Sequence, residues 1–230
     1  AIFVLFSIIP PKTFLSPGTW VLLLDEQTIT VLAALAVLIP LNVAVFNLAI
    51  GAEVGFAVIL VAVLQVNLQL PWPLAVVLAL ACGALIGTIS GLIITRLKID
   101  SFIATLGMSS LLTAGLVLMS GQRQVLGLGA GFRDFATGGI PLGGTFKLTW
   151  PFIIMIVVAL VLWYVMEKTP LGRRMYAAGF NPDGARLSGV KVARLQIGSL
   201  VAGGIVAALA GTLLASRINA GDPTVGPNLL

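Results

Sequence analysis

The stretch 73–95, PLAVVLALACGALIGTISGLIIT, decides the fold class of this chain. It contains no charged side chain, and a helix of this length reaches about 35 Å at 1.5 Å per residue. That exceeds the roughly 30 Å hydrocarbon core of a bilayer, so the stretch predicts a tilted transmembrane helix. Gly83, Gly87 and Gly91 recur at every fourth position, which predicts a groove where a second helix approaches closely.

The composition of the whole chain excludes most other classes of protein. Of its 230 residues, 59% are hydrophobic and 9% are charged, against roughly 25% charged in an average soluble domain. This argues against a soluble globular enzyme, and disorder would need low hydrophobicity. A single cysteine, Cys82, excludes a disulfide framework, and the lack of histidine excludes zinc, haem or triad chemistry built on that residue. We therefore expect an all-α, polytopic transmembrane bundle with interrupted helices, no metal site and no nucleic-acid partner.

Apolar runs outside 73–95 predict further spans. We expect six full spans, at about 28–46, 54–66, 73–95, 101–120, 150–166 and 195–215. A partial apolar segment at 1–9 is too short to cross, and another apolar segment begins near 228–230. We expect residues 1–230 to form a single transmembrane domain. The apolar segments at both ends indicate that the chain is an interior piece of a longer protein.

The last predicted span repeats the small-residue spacing of the third. It carries Gly203 and Gly211, with Ala207 between them and Ala215 after them. Such spacing suits helix packing within one chain, which we favour, or an interface between subunits.

Lysine and arginine set the orientation. The net charge is +5, and eight of the 13 basic residues lie in two short connectors, 96–100 and 167–194. Two crossings separate these connectors, so both lie on one side. The positive-inside rule makes that side cytoplasmic and places 121–149 in an external loop that lies partly on the membrane.

The first two predicted spans are interrupted by polar and helix-breaking residues. Pro40 removes a backbone donor and predicts a kink. Asn42, Asn47 and Glu53 follow at or near membrane depth. One interpretation is that they line a translocation path. The other is a short cytoplasmic turn in which Glu53 sits at the N-terminus of the next helix.

The fourth predicted span adds hydroxyl groups that a polar solute could contact. We place Ser109, Ser110 and Thr113 in the same candidate path, although each alone is more typical of a helix-packing hydroxyl. Beyond Glu53 no carboxylate lies well inside a span, and no phosphate-binding G-x-x-x-x-G-K-[ST] motif occurs. Energy for active transport would therefore come from a partner.

The segment after the fifth span, 168–194, has the signals of a short helix. Asn181 suits an N-cap, Pro182 the first helical position, and Asp183 the positive helix end. Gly189 suits the stop. The alternative is a basic connector facing anionic lipid.

Several stretches resemble one family. TPLGRRMYAAGFNPDGARLSGV at 169–190 resembles the cytoplasmic loop of bacterial ABC-importer permeases of the ribose/xylose/arabinose type. LAGTLLASRINAGDPTVG at 209–226 and GLIITRLKIDSFIATLGMSSLLTAGLVLMSG at 91–121 are similar to spans of those permeases. NLAIGAEVG at 47–55 is similar to a shorter segment, and the resemblance extends from about residue 15 onward.

The resemblance implies a bacterial inner-membrane protein that works as a dimer. A cytoplasmic ATPase subunit would bind ATP and magnesium, and a periplasmic or lipid-anchored binding protein would deliver the solute. A coupling helix would transmit ATPase closure, formed by Asn181, Pro182, Ala185, Arg186, Leu187, Ser188 and Gly189. Gly172, Arg173 and Gly179 would set its approach to the spans.

This chain departs from the family pattern at three points. Gly184 replaces the usual alanine, Asn47 replaces a common aspartate, and the family's last third is missing. The function expected from the resemblance is the membrane subunit of an ATP-driven importer for a monosaccharide or similar small polar solute, not an enzyme. The alternatives are an amino-acid or nucleoside permease of the same superfamily, or a carrier or channel that needs no partner.

Overall fold

The computed structural model describes residues 17–143 and 146–226, which form helices with little strand. The helices are α1 (Pro17–Leu41), α2 (Ile50–Val66), α3 (Trp72–Arg96), α4 (Ser101–Ser120), α5 (Ala130–Thr137), α6 (Trp150–Lys168), α7 (Pro170–Phe180), α8 (Pro182–Leu187) and α9 (Val192–Ile218). The strands are β1 (Val125–Leu126), β2 (Gly139–Gly143), β3 (Phe146–Thr149) and β4 (Ala220–Gly221). The partial apolar segments predicted at 1–9 and 228–230 lie outside the described residues.

The most central helix is α9, which packs against α1, α2 and α3. Its contact with α3 is the closest, because glycines on both sides let the backbones touch. A side chain at Gly87 would collide with the carbonyl of Leu200, and one at Gly91 would lie 2.9 Å from the Cα of Ile197. Gly83 meets Gly204 in the same way one turn away. The small residues predicted to form a groove therefore lie where α3 crosses α9.

Two further glycines of α9 face the other neighbours. A Cβ at Gly203 would lie 2.9 Å from the carbonyl oxygen of Ala36 in α1. A Cβ at Gly211 would lie 2.8 Å from the Cβ of Ala57 in α2. Within the described chain, the predicted helix-packing glycines thus lie at contacts between helices of one chain.

Helix α1 corrects the first predicted span. It ends at Leu41, so the crossing lies at Leu22–Leu41 instead of 28–46. Pro40 lies in the last turn, and instead of kinking the helix it precedes its end. Ala44 then adopts a left-handed φ of 55°, which reverses the chain, and the N–H groups of Val43 and Val45 both donate to the Pro40 carbonyl at 3.1 Å.

The second predicted span is a shorter helix than a full crossing needs. Helix α2 has 17 residues, about 25 Å of rise, and most of them are buried among α4, α3 and α9. In the described ranges five helices are long and apolar enough to span a membrane, one fewer than predicted. The predicted spans at 73–95, 101–120, 150–166 and 195–215 agree with α3, α4, α6 and α9 within about three residues.

The predicted external loop, 121–149, is more ordered than its glycine content suggests. Strand β1 pairs antiparallel with β4, and β2 with β3. In α5, Phe132 is fully buried and its ring centroid lies 6.3 Å from that of Trp72, so this part of the predicted loop packs against the bundle. The backbone carbonyl of Phe132 also accepts a hydrogen bond from Ser216 of α9.

Asp25 ties the N-terminal part of α1 to the end of α9. The hydroxyl of Thr149 donates to Asp25 Oδ1 at 2.7 Å, and Arg217 Nη1 donates to the Asp25 carbonyl at 3.1 Å. The starts of α1 and α6 and the end of α9 therefore share one end of the bundle. The two basic connectors lie at the other end, which the positive-inside rule makes cytoplasmic.

Candidate functional site

A cavity of about 460 Å³ with a partly polar lining opens between α1, α2 and α4 at the reversal of the chain after α1. Its polar lining comes from Asn47, Ser109 and Thr113. Its other walls are Val37, Leu48, Gly51 and Ala52. Three of the six predicted path residues therefore share one cavity, and a small polar solute would meet hydrogen-bonding groups on one side and apolar groups on the other.

Asn47 organises the start of α2. Its Oδ1 accepts the N–H of Ala49 at 3.0 Å, and its Nδ2 donates to Glu53 Oε1 at 3.3 Å. Glu53 is only 2% exposed, and its Oε2 has no hydrogen-bond partner among the described residues. Glu53 lies in the first turn of α2, which agrees with the interpretation of this segment as a turn before a helix. Its side chain is buried, which agrees with the interpretation of a polar group at membrane depth.

Thr105 of α4 holds the reversal segment 42–49 in place and was not predicted. Its hydroxyl donates to the Ser101 carbonyl at 2.7 Å and accepts the N–H of Leu48 at 3.2 Å. Ser101 Oγ accepts the N–H of Phe46 at 3.3 Å. More than 50 residues separate these two side chains from the N–H groups of Phe46 and Leu48 along the chain. The sequence therefore offers no local signal for the contact between α4 and the reversal segment.

The remaining predicted path residues lie elsewhere. Ser110 is exposed, and its hydroxyl donates to the Leu106 carbonyl of the preceding turn at 3.2 Å. Asn42 lines a different cavity of about 260 Å³ together with Glu167 and Tyr176 near the cytoplasmic end. The predicted set thus divides into a membrane cavity, a cytoplasmic cavity, an exposed helix face and the buried Glu53, which lies outside both cavity linings.

We expect Asn47→Ala to destabilise the protein by about 1–3 kcal/mol, because Ala49 N–H and Glu53 Oε1 would both be left buried without a partner. The check is thermal or denaturant unfolding of the purified protein in detergent. Asn42→Ala is the matched control, since that amide donates only to the Leu38 carbonyl of its own helix in a more exposed place. Equal unfolding of the two variants would contradict the organising role of Asn47.

A second candidate surface lies at the cytoplasmic end, where the chain forms the helix pair α7 and α8. Thr169 caps α7 by accepting the N–H of Gly172 at 3.4 Å. Asn181 caps α8 by accepting the N–H of Gly184 at 2.9 Å, and Pro182 takes the first helical position, as predicted. Gly189 has a φ of +82°, which suits its predicted place after the helix end. The separate helix α7 was not predicted.

Three small residues fix this helix pair to the bundle. A side chain at Gly172 would collide with the backbone of Met166, and one at Gly179 would meet the carbonyl of Asn42. Ala185 of α8 is buried in a small cluster with Ala178 and Val192. The inner faces of α7 and α8 are therefore closely packed, and their outer faces are available.

The outer face combines charge with exposed apolar groups. Arg186 and Asp183 form an exposed ion pair at 3.0 Å, and Arg173 of α7 and Ser188 after α8 are exposed as well. Leu187 is 91% exposed. The sequence-based set omits Phe180, which is also 91% exposed; a phenylalanine next to an N-cap asparagine in a polar connector is the signal that would have identified it.

Comparison with known proteins places the chain in a family. The profile of the family described as "Branched-chain amino acid transport system / permease component" matches residues 22–230. The chain belongs to this permease family. It is a multi-pass protein of the bacterial inner membrane, and five of its described helices are long and apolar enough to cross one. No solved structure matches the chain.

Characterised members of this permease family are similar over nearly the whole chain. The fructose import permease of Rhizobium meliloti is 30% identical over 225 residues, which are 96% of this chain and 62% of that protein. The ribose import permease of Bacillus subtilis is 34% identical, over 97% of this chain and 68% of that protein. The galactose/methyl galactoside import permease of Escherichia coli is 32% identical, over 93% and 68%. The chain spans about two thirds of the length of these relatives.

Proposed function

We propose that this chain is the membrane-spanning subunit of an ATP-driven importer for a monosaccharide or a similar small polar solute. ATP and magnesium would bind to a separate cytoplasmic ATPase subunit. A periplasmic or lipid-anchored binding protein would deliver the solute, and a second permease copy would complete the path. Membership of the permease family and its sugar-importing relatives support the proposal.

One observation carries the proposal furthest: a short, capped helix stands on the cytoplasmic end with its outer face uncovered. A six-residue helix is marginal alone, yet α8 is held by the Asn181 cap and by the burial of Ala185. It presents Arg186 and Leu187 outward, a charge beside an exposed apolar group. That combination is typical of a protein-binding surface, and a rigid contact of this kind can transmit motion from an ATPase to the spans.

The membrane cavity supplies the solute contact in this proposal. Amide and hydroxyl groups of Asn47, Ser109 and Thr113 suit the hydroxyls of a sugar. Glu53 does not line the cavity; it is buried and accepts the hydrogen bond of Asn47 Nδ2. Among the residues that the structure describes, the lining of this cavity has no cation that would favour the carboxylate of an amino acid.

The test is purification of the intact protein from its own host in mild detergent, followed by uptake in the cells and in liposomes. We expect an ATPase subunit to co-purify, and we expect ATP-dependent uptake of ribose, fructose or galactose. Uptake of leucine or a nucleoside in place of sugars would move the proposal to another solute of the same superfamily. Uptake by the protein alone, without ATPase, would overturn the importer function in favour of a self-sufficient carrier.

Leu187→Gln is expected to weaken ATPase binding by roughly thirtyfold, the effect of losing one interface anchor worth about 2 kcal/mol. The side chain is 91% exposed, so the substitution leaves the permease itself folded. Binding is measured by titrating purified ATPase onto the permease in detergent. Leu126→Gln is the matched control, because that leucine is 63% exposed at the opposite end of the bundle. Unchanged affinity for Leu187→Gln would remove α8 from the interface.

A further inference from the structure

A basic cavity lies at the cytoplasmic start of α9, next to the docking residues above, and shares Ser188 and Gly189 with them. It has a volume of about 450 Å³ and lies between α7, the end of α8 and α9. Arg174, Lys191 and Arg194 line it, together with Ser188, Gly189, Val190 and Leu195, and the lining includes no carboxylate. Neither Arg186 nor Leu187 takes part in it.

The three basic side chains of this cavity have no carboxylate partner in the described ranges. The two ion pairs found there are Arg186 with Asp183 and Arg217 with Asp25. The 27-residue helix α9 also begins at this cavity, and its N-cap residue, Lys191, provides no side-chain cap. The positive end of the helix dipole therefore adds to three unpaired cations, and both favour an anion in this cavity.

An apolar groove adjoins the basic cavity. A second cavity of about 190 Å³ shares Arg194 and Leu195 with it. Its other lining residues come from the cytoplasmic ends of α1, α6, α7 and α9: Ile39, Leu162, Val165, Met166, Leu171, Met175, Gly198, Ser199 and Ala202. Ser199 is the one polar residue of that list, and its hydroxyl donates to the Gln196 carbonyl at 2.8 Å. The groove thus offers an apolar surface in the cytoplasmic leaflet, next to the cations.

We propose that the two cavities together bind one anionic phospholipid. The headgroup phosphate lies among Arg174, Lys191 and Arg194, and an acyl chain lies in the groove between α6 and α9. A free phosphate could use the cations, but it would leave the adjoining apolar groove empty. An acidic protein segment could also bind the cations. Only a lipid matches both parts of the site, because its charged headgroup suits the basic cavity at the membrane surface and its acyl chain suits the apolar groove below it.

The position of this lipid gives it a mechanical consequence. It would contact α7 through Arg174, Leu171 and Met175, and α9 through Lys191, Arg194 and Gly198. These helices flank the short helix α8. The bound lipid would therefore brace the cytoplasmic end of the bundle, and the stability of that end would depend on the anionic lipid content of the membrane.

The experiment measures thermal unfolding of the intact protein in detergent during lipid titration. The probes are phosphatidylglycerol, phosphatidylcholine with the same acyl chains, and inorganic phosphate. We expect phosphatidylglycerol to raise the unfolding midpoint at lower concentration than phosphatidylcholine, and phosphate alone to have no comparable effect. Arg174→Gln and Arg194→Gln should each weaken the phosphatidylglycerol effect by roughly fivefold, the share of one cation. Arg173→Gln is the matched control, since this exposed neighbour does not line the cavity.

Gly198→Leu tests the apolar half of the site separately. A Cβ there would have no atom within 4 Å, and it would lie at a cavity of about 190 Å³ that can take the rest of a leucine side chain. Leucine also favours the helix over glycine. Its side chain would fill the groove while the cations stay in place. We expect this variant to fold and to lose the phosphatidylglycerol effect.

Three results would overturn the proposal. Equal stabilisation by both phospholipids, unaffected by Arg174→Gln, would indicate unspecific lipid contact. Stabilisation by phosphate alone, unaffected by Gly198→Leu, would indicate a free anion site. Lack of any lipid effect on the intact protein would indicate that another segment or a second copy covers the groove.

Discussion

Gly87→Leu is expected to reduce the yield of folded, monodisperse protein by roughly tenfold or more. A Cβ at this position already collides with the Leu200 backbone where α3 crosses α9, and backbone atoms cannot move aside as a side-chain tip can. Because α9 packs against three other helices, a shift of its contact with α3 would propagate through the bundle. The measurement is the amount and elution profile of the purified protein in mild detergent, followed by its unfolding midpoint.

Gly107→Leu is the control for this prediction. Gly107 also lies inside an apolar helix, α4, but a Cβ there would meet no atom within 4 Å. Both substitutions add the same apolar volume and the same helix propensity, so they differ only in what the side chain meets. Gly87→Ala adds a single colliding atom and should show a smaller loss in the same direction. If Gly87→Leu behaved like Gly107→Leu, the close crossing of α3 and α9 would be wrong.

The sequence predicts those features that depend on residues near one another in the chain. Apolar runs bounded by Trp, Pro, Arg and Lys give α3, α4, α6 and α9 within about three residues, because span length is imposed by the bilayer. The glycine spacing predicts a close approach without naming the partner. The cap of α8 is local as well, since Asn181 and the N–H it accepts are three residues apart.

The features that could not be predicted from the sequence depend on contacts between segments that are distant along the chain. Apart from Asn42, residues 41–46 are apolar, so hydropathy alone extends α1 beyond Leu41. The reversal that ends α1 is held by Ser101 and Thr105 of α4, which the bundle alone brings into reach. Burial of Phe132 likewise depends on Trp72 and on the carbonyl contact to Ser216. Sequence spacing carries no information on such pairs.

The sequence predicted the residues of the candidate path only in part, because turns and helix faces decide which polar residues share a cavity. Asn42 and Asn47 are five residues apart, yet the left-handed turn at Ala44 sends them into different cavities. Ser109 and Ser110 are adjacent, but neighbouring helical residues point about 100° apart, so only Ser109 faces the cavity. A list of polar residues at membrane depth therefore overestimates a shared site until helix faces are known.

Reversing the charge of Arg186 is expected to reduce ATP-dependent uptake to near background while leaving the spans inserted. The side chain is exposed on α8, so Arg186→Glu disturbs no buried packing. A glutamate would face whatever acidic groups of the ATPase the arginine meets, and like charges across an interface cost several kcal/mol. The measurements are uptake in cells and ATPase binding to the purified permease in detergent.

Arg186→Glu alone has two consequences, because it also breaks the 3.0 Å ion pair with Asp183. The double variant Asp183→Arg with Arg186→Asp separates them. It keeps an ion pair within α8 and reverses the charges presented to a partner. An exposed pair contributes about 1 kcal/mol or less, and an arginine in the first turn opposes the helix dipole by a similar amount, so α8 should still form.

We therefore expect the double variant to be as inactive as Arg186→Glu, because docking depends on the sign of the outward charge and not on the ion pair. Arg123→Glu provides the matched control, since it reverses an exposed charge at the opposite end of the bundle and should transport normally. Recovery of uptake in the double variant would show that Arg186 acts only by stabilising α8. Normal uptake by Arg186→Glu itself would exclude Arg186 from docking and leave Leu187 and Phe180 as the residues that meet the ATPase.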